Sequence, residues 1–381
     1  MARSRGRYGN DKSVLGLCKS IYKIALRKNQ SVVILVLFLQ IFKTPHPARY
    51  TALPAQIHAG RAVPEQRGAA GGPGWGRLGR LVRLGDHTQH KEGVTAVCVV
   101  AGQAVSAGQD GTVKLYRWEG QAGVERSLTA PSPLTISCLV SPVPATLLLA
   151  SWDNTVQCHS LMSGSWAVPL AAHQDAVSCL AWAANICATG SWDGRAKLWS
   201  CTQQNSFAIR LSDLQSELDC GAPVTCLDLE LEASGAGSLA TGTREGDVLV
   251  WSVAGGRASL ALRLPSHSRQ VNTLRLAGER LLSGGSDMAI KLWDLRTGSV
   301  VFSRQLVEEV LVLDWDGAVG VVGGGAGTLS TWDFSRGEQT ASLPAHTGRL
   351  TALAVQRTKA GLLVVTGGED RRVIVWEAET L

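Results

Sequence analysis

One pattern of apolar and polar residues repeats along residues 79–381. An apolar stretch is followed by a spacer and by a second apolar stretch that ends in small residues. A polar turn and a third apolar stretch come next. Short apolar runs separated by turn residues are typical of β-strands. The third stretch ends in an aromatic residue or His six positions after each turn. The turn positions are Asp110, Asp153, Asp193, Glu245, Asp287, Ala326 and Asp370.

The spacing of these turns defines the class of fold. Successive turn positions lie 39 to 52 residues apart, close to the ~40–45 residues of one four-stranded WD-repeat blade. We therefore predict an all-β protein, a seven-bladed WD-repeat β-propeller over residues 79–381, preceded by an irregular basic N-terminal segment. The 52-residue step between Asp193 and Glu245 predicts a longer loop around residues 202–222.

The last repeat predicts how the ring closes. Only five residues follow Trp376, too few to supply the outermost strand of that blade. An open seam would leave unpaired strand edges, which folded proteins avoid. Members of the WD-repeat family lend a strand from the N-terminal side. We therefore expect residues 79–85 to pair beside the strand that ends at Trp376.

Charge is divided unevenly along the chain. The whole chain has a formal net charge of +6, but residues 1–90 alone contribute +12 and the remainder contributes −6. The basic character therefore belongs to the N-terminal segment. An acidic propeller is poorly suited to a phosphate backbone, so we expect protein partners and no nucleic acid.

The nine cysteines form no Cys-x-x-Cys pair and have no His at zinc-binding spacing. We interpret them as reduced thiols in an intracellular compartment, with Cys138, Cys179 and Cys226 acting as small apolar residues of inner strands. The glycine runs also lack the strand-to-helix context of a phosphate loop. We expect no metal, no cofactor and no small-molecule substrate.

Four repeats carry a His ahead of the first strand. In the WD-repeat family this His, a strand Ser or Thr, the turn Asp and the strand Trp form a hydrogen-bonded tetrad. A catalytic triad needs one site with an oxyanion hole, whereas these sets repeat, so we predict a structural role, no catalytic residue and no enzyme. The third repeat supplies His173, Ser191, Asp193 and Trp199. The fifth supplies His267, Ser283 or Ser286, Asp287 and Trp293.

The loops at the tetrad end of the ring are the expected docking surface, because loops on a rigid scaffold vary freely. Trp152 and Trp192 occupy the residue before the turn on adjacent blades, and two exposed Trp side chains would anchor a partner. The alternative is that both rings pack over their own blades. The full candidate set is Gln109, Trp152, Trp192, Arg244 and Glu369.

Upstream of the repeats the chain changes character. We divide it into an unplaced basic and apolar segment, a short family-specific segment and a linker rich in Gly, Pro and Arg. The apolar run 31–42 has 12 residues, fewer than the ~20 that span a bilayer, so we interpret it as an apolar helix that needs a partner. The segments are residues 1–37, 38–49 and 50–78.

The middle segment carries a more specific resemblance. The run Gln40-Ile-Phe-Lys-Thr-Pro-His-Pro-Ala-Arg49 resembles the end of a BEACH domain, and residues 87–378 are similar to the C-terminal propeller of the BEACH–WD-repeat family. In that family a membrane-binding PH-like domain and a complete BEACH domain precede the propeller. Relative to it, this chain is expected to be truncated at the N-terminus.

The resemblance implies an adaptor that couples the cytoplasmic tail of a tumour necrosis factor receptor to neutral sphingomyelinase and ceramide production. It also implies a cytoplasmic protein that associates peripherally with membranes, though not through the propeller. Two alternatives are a vesicle-trafficking or autophagy scaffold of the BEACH type and a ubiquitin-ligase substrate receptor. The second needs a recruiting helix pair such as an F-box, and no such pattern precedes the repeats.

Overall fold

The computed structural model describes residues 75, 78–117, 123–143, 145–205, 208–358 and 361–380. Within these ranges the chain forms seven antiparallel β-sheets and no helix. The fold is an all-β seven-bladed propeller. The predicted segments 1–37 and 38–49 lie outside the described residues, as does the apolar run 31–42.

Each sheet forms one blade, and in blades 1 to 6 the strands follow the chain from the centre of the ring outward, whereas the outermost strand of blade 7 is β1 (Leu78–Thr88). Blade 1 contains β2 (Val94–Val100), β3 (Gln103–Gly108), β4 (Thr112–Arg117) and β5 (Gly123–Thr129). Blade 2 contains β6 (Ile136–Val140), β7 (Thr146–Ser151), β8 (Thr155–Ser160), β9 (Ser165–Trp166) and β10 (Leu170–Ala171). Blade 3 contains β11 (Val177–Ala183), β12 (Ile186–Ser191), β13 (Arg195–Asn205) and β14 (Ala208–Asp219).

The remaining blades repeat the order. Blade 4 contains β15 (Val224–Leu231), β16 (Gly237–Thr243), β17 (Asp247–Ala254) and β18 (Arg257–Pro265). Blade 5 contains β19 (Val271–Ala277), β20 (Arg280–Gly285), β21 (Ala289–Asp294) and β22 (Ser299–Gln305). Blade 6 contains β23 (Val310–Trp315), β24 (Val319–Gly324), β25 (Thr328–Asp333) and β26 (Glu338–Pro344). Blade 7 contains β27 (Leu350–Arg357), β28 (Leu362–Gly368), β29 (Arg372–Thr380) and β1 (Leu78–Thr88).

Burial within a blade follows the order of its strands. The second strands β7, β12, β24 and β28 are buried at every residue, whereas the outer strand β22 has no buried residue. A strand that is covered on both faces reads as a continuous apolar or small-residue run, and an edge strand carries polar residues. This gradient explains why the second and third strands gave the clearest sequence pattern. The long outer pair β13–β14 fills the 52-residue step. The prediction of a longer loop around residues 202–222 is therefore wrong, because paired strands occupy most of that range.

The residue after each turn position has a left-handed backbone. Its φ is positive in all seven blades, which glycine adopts without strain. Glycine or Asn occupies five of the positions, but Met288 (φ 63°) and Arg371 (φ 66°) occupy the turns of blades 5 and 7. A non-glycine side chain costs about 1–2 kcal/mol in this region, so these two turns carry backbone strain that their surroundings offset.

The seam closes in blade 7. β1 pairs with β29 in antiparallel register, with Arg83 opposite Trp376. The guanidinium of Arg372 forms an ion pair with Asp86 across the same pair of strands. The prediction that residues 79–85 complete the last blade is therefore confirmed, and the strand extends further, over Leu78–Thr88.

Candidate docking rim

The third blade brings His173, Asp193 and Trp199 into one hydrogen-bonded group. His173 Nδ1 lies 2.9 Å from Asp193 Oδ2, and its Nε2 lies 2.8 Å from Thr189 Oγ1. Trp199 Nε1 donates to the same hydroxyl at 3.0 Å. The tetrad hydroxyl is therefore Thr189, and the prediction of Ser191 is wrong. Ser191 instead donates to the backbone oxygen of Asp175 and accepts from the backbone N–H of Asp193.

The fifth blade repeats the arrangement with a serine. His267 Nδ1 lies 2.8 Å from Asp287 Oδ1, and its Nε2 lies 2.9 Å from Ser283 Oγ. Trp293 Nε1 donates to Ser283 Oγ at 3.1 Å. Of the two serines that the sequence left open, Ser283 is the tetrad member. Ser286 instead contacts Asn272 on the channel side.

Blades 1 and 7 hold the same group with other residues. In blade 1 it is formed by His90, Ser106, Asp110 and Tyr116, and in blade 7 by His346, Thr366, Asp370 and Trp376. In all four blades the hydroxyl precedes the aromatic residue by ten positions. A buried polar network of this kind fixes one geometry when every member has a partner.

Burial sets the charge state of these groups. Desolvation lowers the pKa of His173 below its ordinary value, although the nearby Asp193 carboxylate raises it. Desolvation raises the pKa of Asp193, but hydrogen bonds from the Gln174 backbone N–H and from His173 outweigh it and leave the pKa low. Both ring nitrogens of the His are engaged inside the blade. The tetrad therefore stabilises the turn.

Blades 4 and 6 contain no His before their first strands, and their turns have Glu245 and Ala326 in place of Asp. In blade 4, Trp251 Nε1 still donates to Thr241 Oγ1 at 3.1 Å. In blade 6, the carboxylate of Glu308 accepts hydrogen bonds from the backbone N–H of Ala326 and from the Thr328 hydroxyl. A carboxylate from the preceding loop thus takes the place of the turn Asp in blade 6, which the sequence pattern did not reveal.

Blade 2 lacks the polar group at its centre. His159 stands at the aromatic position, but the residue ten places earlier is Leu149, which has no hydroxyl. Both ring nitrogens of His159 are buried without a hydrogen-bond partner among the described residues. Burial lowers the pKa of His159 to about 4. The ring packs against Trp166, with 4.4 Å between centroids.

Seven equivalent backbone hydrogen bonds define the rim of the ring. In each blade the residue before the turn position donates its N–H to the carbonyl of the residue before the first strand, at 2.9 to 3.1 Å. We call the seven donor residues the rim. They are Gln109, Trp152, Trp192, Arg244, Ser286, Gly325 and Glu369.

Two neighbouring rim positions carry large aromatic side chains. Trp152 is 42% exposed and Trp192 is 37% exposed. Their ring centroids lie 5.3 Å apart with an interplanar angle of 48°. The rings therefore contact one another across blades 2 and 3 and keep part of their surface open to solvent, rather than being buried over their own blades.

The other three candidate rim residues are exposed but stand apart from the Trp pair. Glu369 forms an ion pair with Arg349 (3.6 Å), which also contacts Glu309 (2.8 Å). Gln109 and Arg244 are exposed. None of these candidates lines the pocket beside the two Trp rings. Of the five predicted residues, Trp152 and Trp192 therefore lie in contact, whereas Gln109, Arg244 and Glu369 lie away from this pair.

A pocket of about 250 Å³ opens beside the Trp pair at the mouth of the central channel. We did not predict its polar lining from the sequence. The lining does have a sequence signal, because the second residue of most inner strands is Ser or Thr at a fixed position in the repeat. The hydroxyl residues of the lining are Thr95, Thr135, Ser137, Ser178, Thr225 and Thr351.

Two kinds of site are absent from the described residues. No group of three or more His, Cys, Asp or Glu side chains in these ranges is arranged to hold a metal ion. The same part of the chain contains no helical segment with the length and hydropathy of a membrane span.

The blades and their tetrads define a WD-repeat β-propeller of seven blades. Three segments match the family model of the WD domain, G-beta repeat, at residues 167–200, 259–294 and 337–377. These segments end in the third strands of blades 3, 5 and 7, the three blades whose tetrads combine His, Asp and Trp.

Similarity to known proteins is spread over several kinds of protein. The chain is 27% identical to mitochondrial division protein 1 of Aspergillus oryzae over 236 residues, which is 55% of this chain and 33% of that protein. It is 26% identical to the human kinesin-like protein KIF21A over 196 residues, which is 46% of this chain and 11% of that protein. The chain thus spans a third or less of these two relatives.

A solved structure shows the same fold. The WD40 β-propeller domain of Doa1 superposes with a TM-score of 0.67 at 19% identity, covering 79% of this chain and 97% of that domain. At this identity the likeness concerns the fold alone.

Proposed function

We propose that this propeller is a non-enzymatic adaptor that binds protein partners at the rim, with Trp152 and Trp192 as the anchor. The exposed Trp pair carries the proposal, because aromatic side chains beside a pocket dominate the energetics of protein interfaces. The His, Asp and hydroxyl groups that could do chemistry are hydrogen-bonded within their blades. Protein-interaction scaffolds are the general role of WD-repeat propellers.

The relatives support this role without fixing the partner. Their names refer to mitochondrial division and to a kinesin-like protein, and fold alone does not determine function. The partner is therefore inferred from the more specific resemblance to the BEACH–WD-repeat family.

Within that family the chain resembles the factor associated with neutral sphingomyelinase activation. We propose that it binds the cytoplasmic tail of a tumour necrosis factor receptor in the cytoplasm, peripherally to a membrane, and contributes to sphingomyelinase activation and ceramide production. The BEACH-like run at residues 40–49 lies outside the described residues, so the contribution of the propeller is the part that can be tested on the structure.

Calorimetric titration of the full chain with the purified receptor tail tests this proposal. We expect saturable binding that is at least tenfold weaker in the Trp152→Ala/Trp192→Ala variant. The matched control is Leu260→Ala/Val301→Ala, which removes side chains of similar exposure (49% and 54%) from the outer edges of blades 4 and 5. Equal thermal unfolding of all three proteins is required. Unchanged affinity in the Trp variant would contradict the site, and absence of binding by the parent would contradict the partner.

A further inference from the structure

The inner strands of neighbouring blades are joined by a belt of side-chain hydrogen bonds. At the second residue of the inner strand, a hydroxyl donates to a backbone carbonyl of the next blade, and the belt crosses the seam between blades 7 and 1. The donors Thr95, Ser137, Ser178, Thr225 and Thr351 pair with the carbonyls of Ile136, Val177, Val224, Val271 and Val94.

This belt determines the chemistry of the pocket beside the Trp pair. A hydroxyl has one proton and two acceptor lone pairs. Because each belt hydroxyl gives its proton to a carbonyl, the oxygens that line the pocket are left as acceptors. Gln270 donates one of its two Nε2 hydrogens to Asn272 Oδ1 at 3.1 Å, and its Oε1 is a further acceptor among the lining residues.

The aromatic wall of the pocket has a matching preference. The faces of Trp152 and Trp192 carry negative π-electron density, and a Trp face is the best aromatic partner for an ammonium or guanidinium group. Acceptor oxygens on one side and two Trp faces on the other form a site for a group that is cationic and rich in N–H donors.

The channel below the pocket adds negative charge. Three residues further along the inner strands of blades 4, 5 and 6 stand Asp228, Arg275 and Asp314. Arg275 Nε lies 3.2 Å from Asp314 Oδ1, and Arg275 Nη1 lies 3.7 Å from Asp228 Oδ1. Two carboxylates flank one guanidinium, so this level of the channel has a net charge of −1 and favours a cation above it. The exposed Arg244 stands on the rim and does not line the pocket.

We propose that the pocket binds the Lys or Arg side chain of a partner peptide. The charged group lies against the Trp faces, and its N–H groups donate to the hydroxyl oxygens of the belt and of Thr135. This inference rests on the proposed function and specifies the chemistry of the bound segment.

The test uses the full chain labelled with 5-fluorotryptophan and capped peptides Ala-Ala-X-Ala-Ala. The residue X is Arg, Lys, citrulline, norleucine or Glu. Citrulline has the shape of Arg without its charge, and norleucine is Lys without its ammonium. We expect the Arg and Lys peptides to shift the fluorine signals of Trp152 and Trp192, assigned through Trp→Phe variants, and the neutral peptides to bind about tenfold more weakly.

Two variants separate the charge effect from simple apolar contact. Trp192→Leu keeps an apolar side chain without a π face, and Thr135→Val removes one acceptor outside the belt. Both substitutions should lower the affinity for the Arg and Lys peptides severalfold. The inference would be overturned if the Arg and citrulline peptides bound equally well or if the Glu peptide bound best. It would also be overturned if no peptide shifted the fluorine signals, or if Trp192→Leu bound the Arg and Lys peptides as tightly as the parent. Suppose that the peptide test fails. If calorimetry still shows that the receptor tail binds through the Trp pair, only the preference for a cationic side chain is wrong. If the receptor tail does not bind through the Trp pair, the proposed function is wrong as well.

Discussion

Replacing Thr189 with Val tests the tetrad of blade 3. The hydroxyl accepts from Trp199 Nε1 at 3.0 Å and contacts His173 Nε2 at 2.8 Å, and Thr189 is fully buried. Valine keeps the shape of the side chain but leaves two buried polar groups without partners. At about 1–3 kcal/mol for each of the two unsatisfied groups, we expect the unfolding free energy to fall by about 2–6 kcal/mol. That loss corresponds to a decrease in Tm of roughly 3–10 °C for a domain of this size.

The assay is urea and thermal denaturation of the full chain, followed by near-ultraviolet circular dichroism, which reports the Trp environment. Ser191→Ala is the comparison, because it removes the contacts with the Asp175 carbonyl and the Asp193 backbone N–H but leaves His173 and Trp199 paired. We expect Ser191→Ala to cost less than Thr189→Val. A Thr189→Val variant within about 0.5 kcal/mol of the parent, or one less destabilised than Ser191→Ala, would refute the assignment of the tetrad hydroxyl.

Three further changes should move stability in directions set by the structure. Met288→Gly removes a side chain from a left-handed turn and should raise the free energy of unfolding by about 0.5–1 kcal/mol in urea denaturation. A lower free energy of unfolding would contradict backbone strain at this turn. Glu308→Ala leaves the Ala326 N–H and the Thr328 hydroxyl without their carboxylate and should cost about 1–3 kcal/mol; a neutral result would show that packing alone holds this turn. His159 has a pKa of about 4 when folded against an ordinary 6.5. Since the unfolded chain binds the extra proton, stability should fall by about 3 kcal/mol as pH drops from 6.5 to 4. His159→Phe should reduce that slope, since the pKa of His173 is also lowered by burial, and an unchanged slope would rule out a contribution from His159.

The seven-bladed ring could be predicted from the sequence because its signal is repeated. The turn position and the aromatic residue or His six places later recur in all seven repeats. The need for an N-terminal strand in the last blade follows from closure of the ring. Any single copy would be weak evidence. The strand β1 at the seam was predictable for the same reason, since an unpaired edge has a physical cost wherever it falls.

The hydroxyl of the tetrad could not be chosen from the sequence. Thr189 and Ser191 are two residues apart, so both lie on the same face of β12. Only the register decides between them, because Cys187 stands opposite Trp199 and the indole reaches along the strand to Thr189. The alternation of a strand gives the face of a residue, not its position along that face.

Contacts between loops and between blades were also beyond the sequence. Glu308 replaces the turn Asp from 18 residues upstream, a position outside the repeat pattern. The exposure of Trp152 and Trp192 depends on how two adjacent blades bring the rings within 5.3 Å of each other. Position in the repeat predicts that both face the rim, but it does not predict that they meet beside a pocket.

Site-specific photo-crosslinking tests the docking rim most directly. A photoreactive phenylalanine analogue is placed at Trp192 in one version of the full chain and at Val301, on the outer edge of blade 5, in another. Each is irradiated with the purified receptor tail. We predict a crosslink from position 192 and none from position 301. A tail that remains bound but crosslinks only from position 301, or from neither position, would contradict the rim as the docking surface.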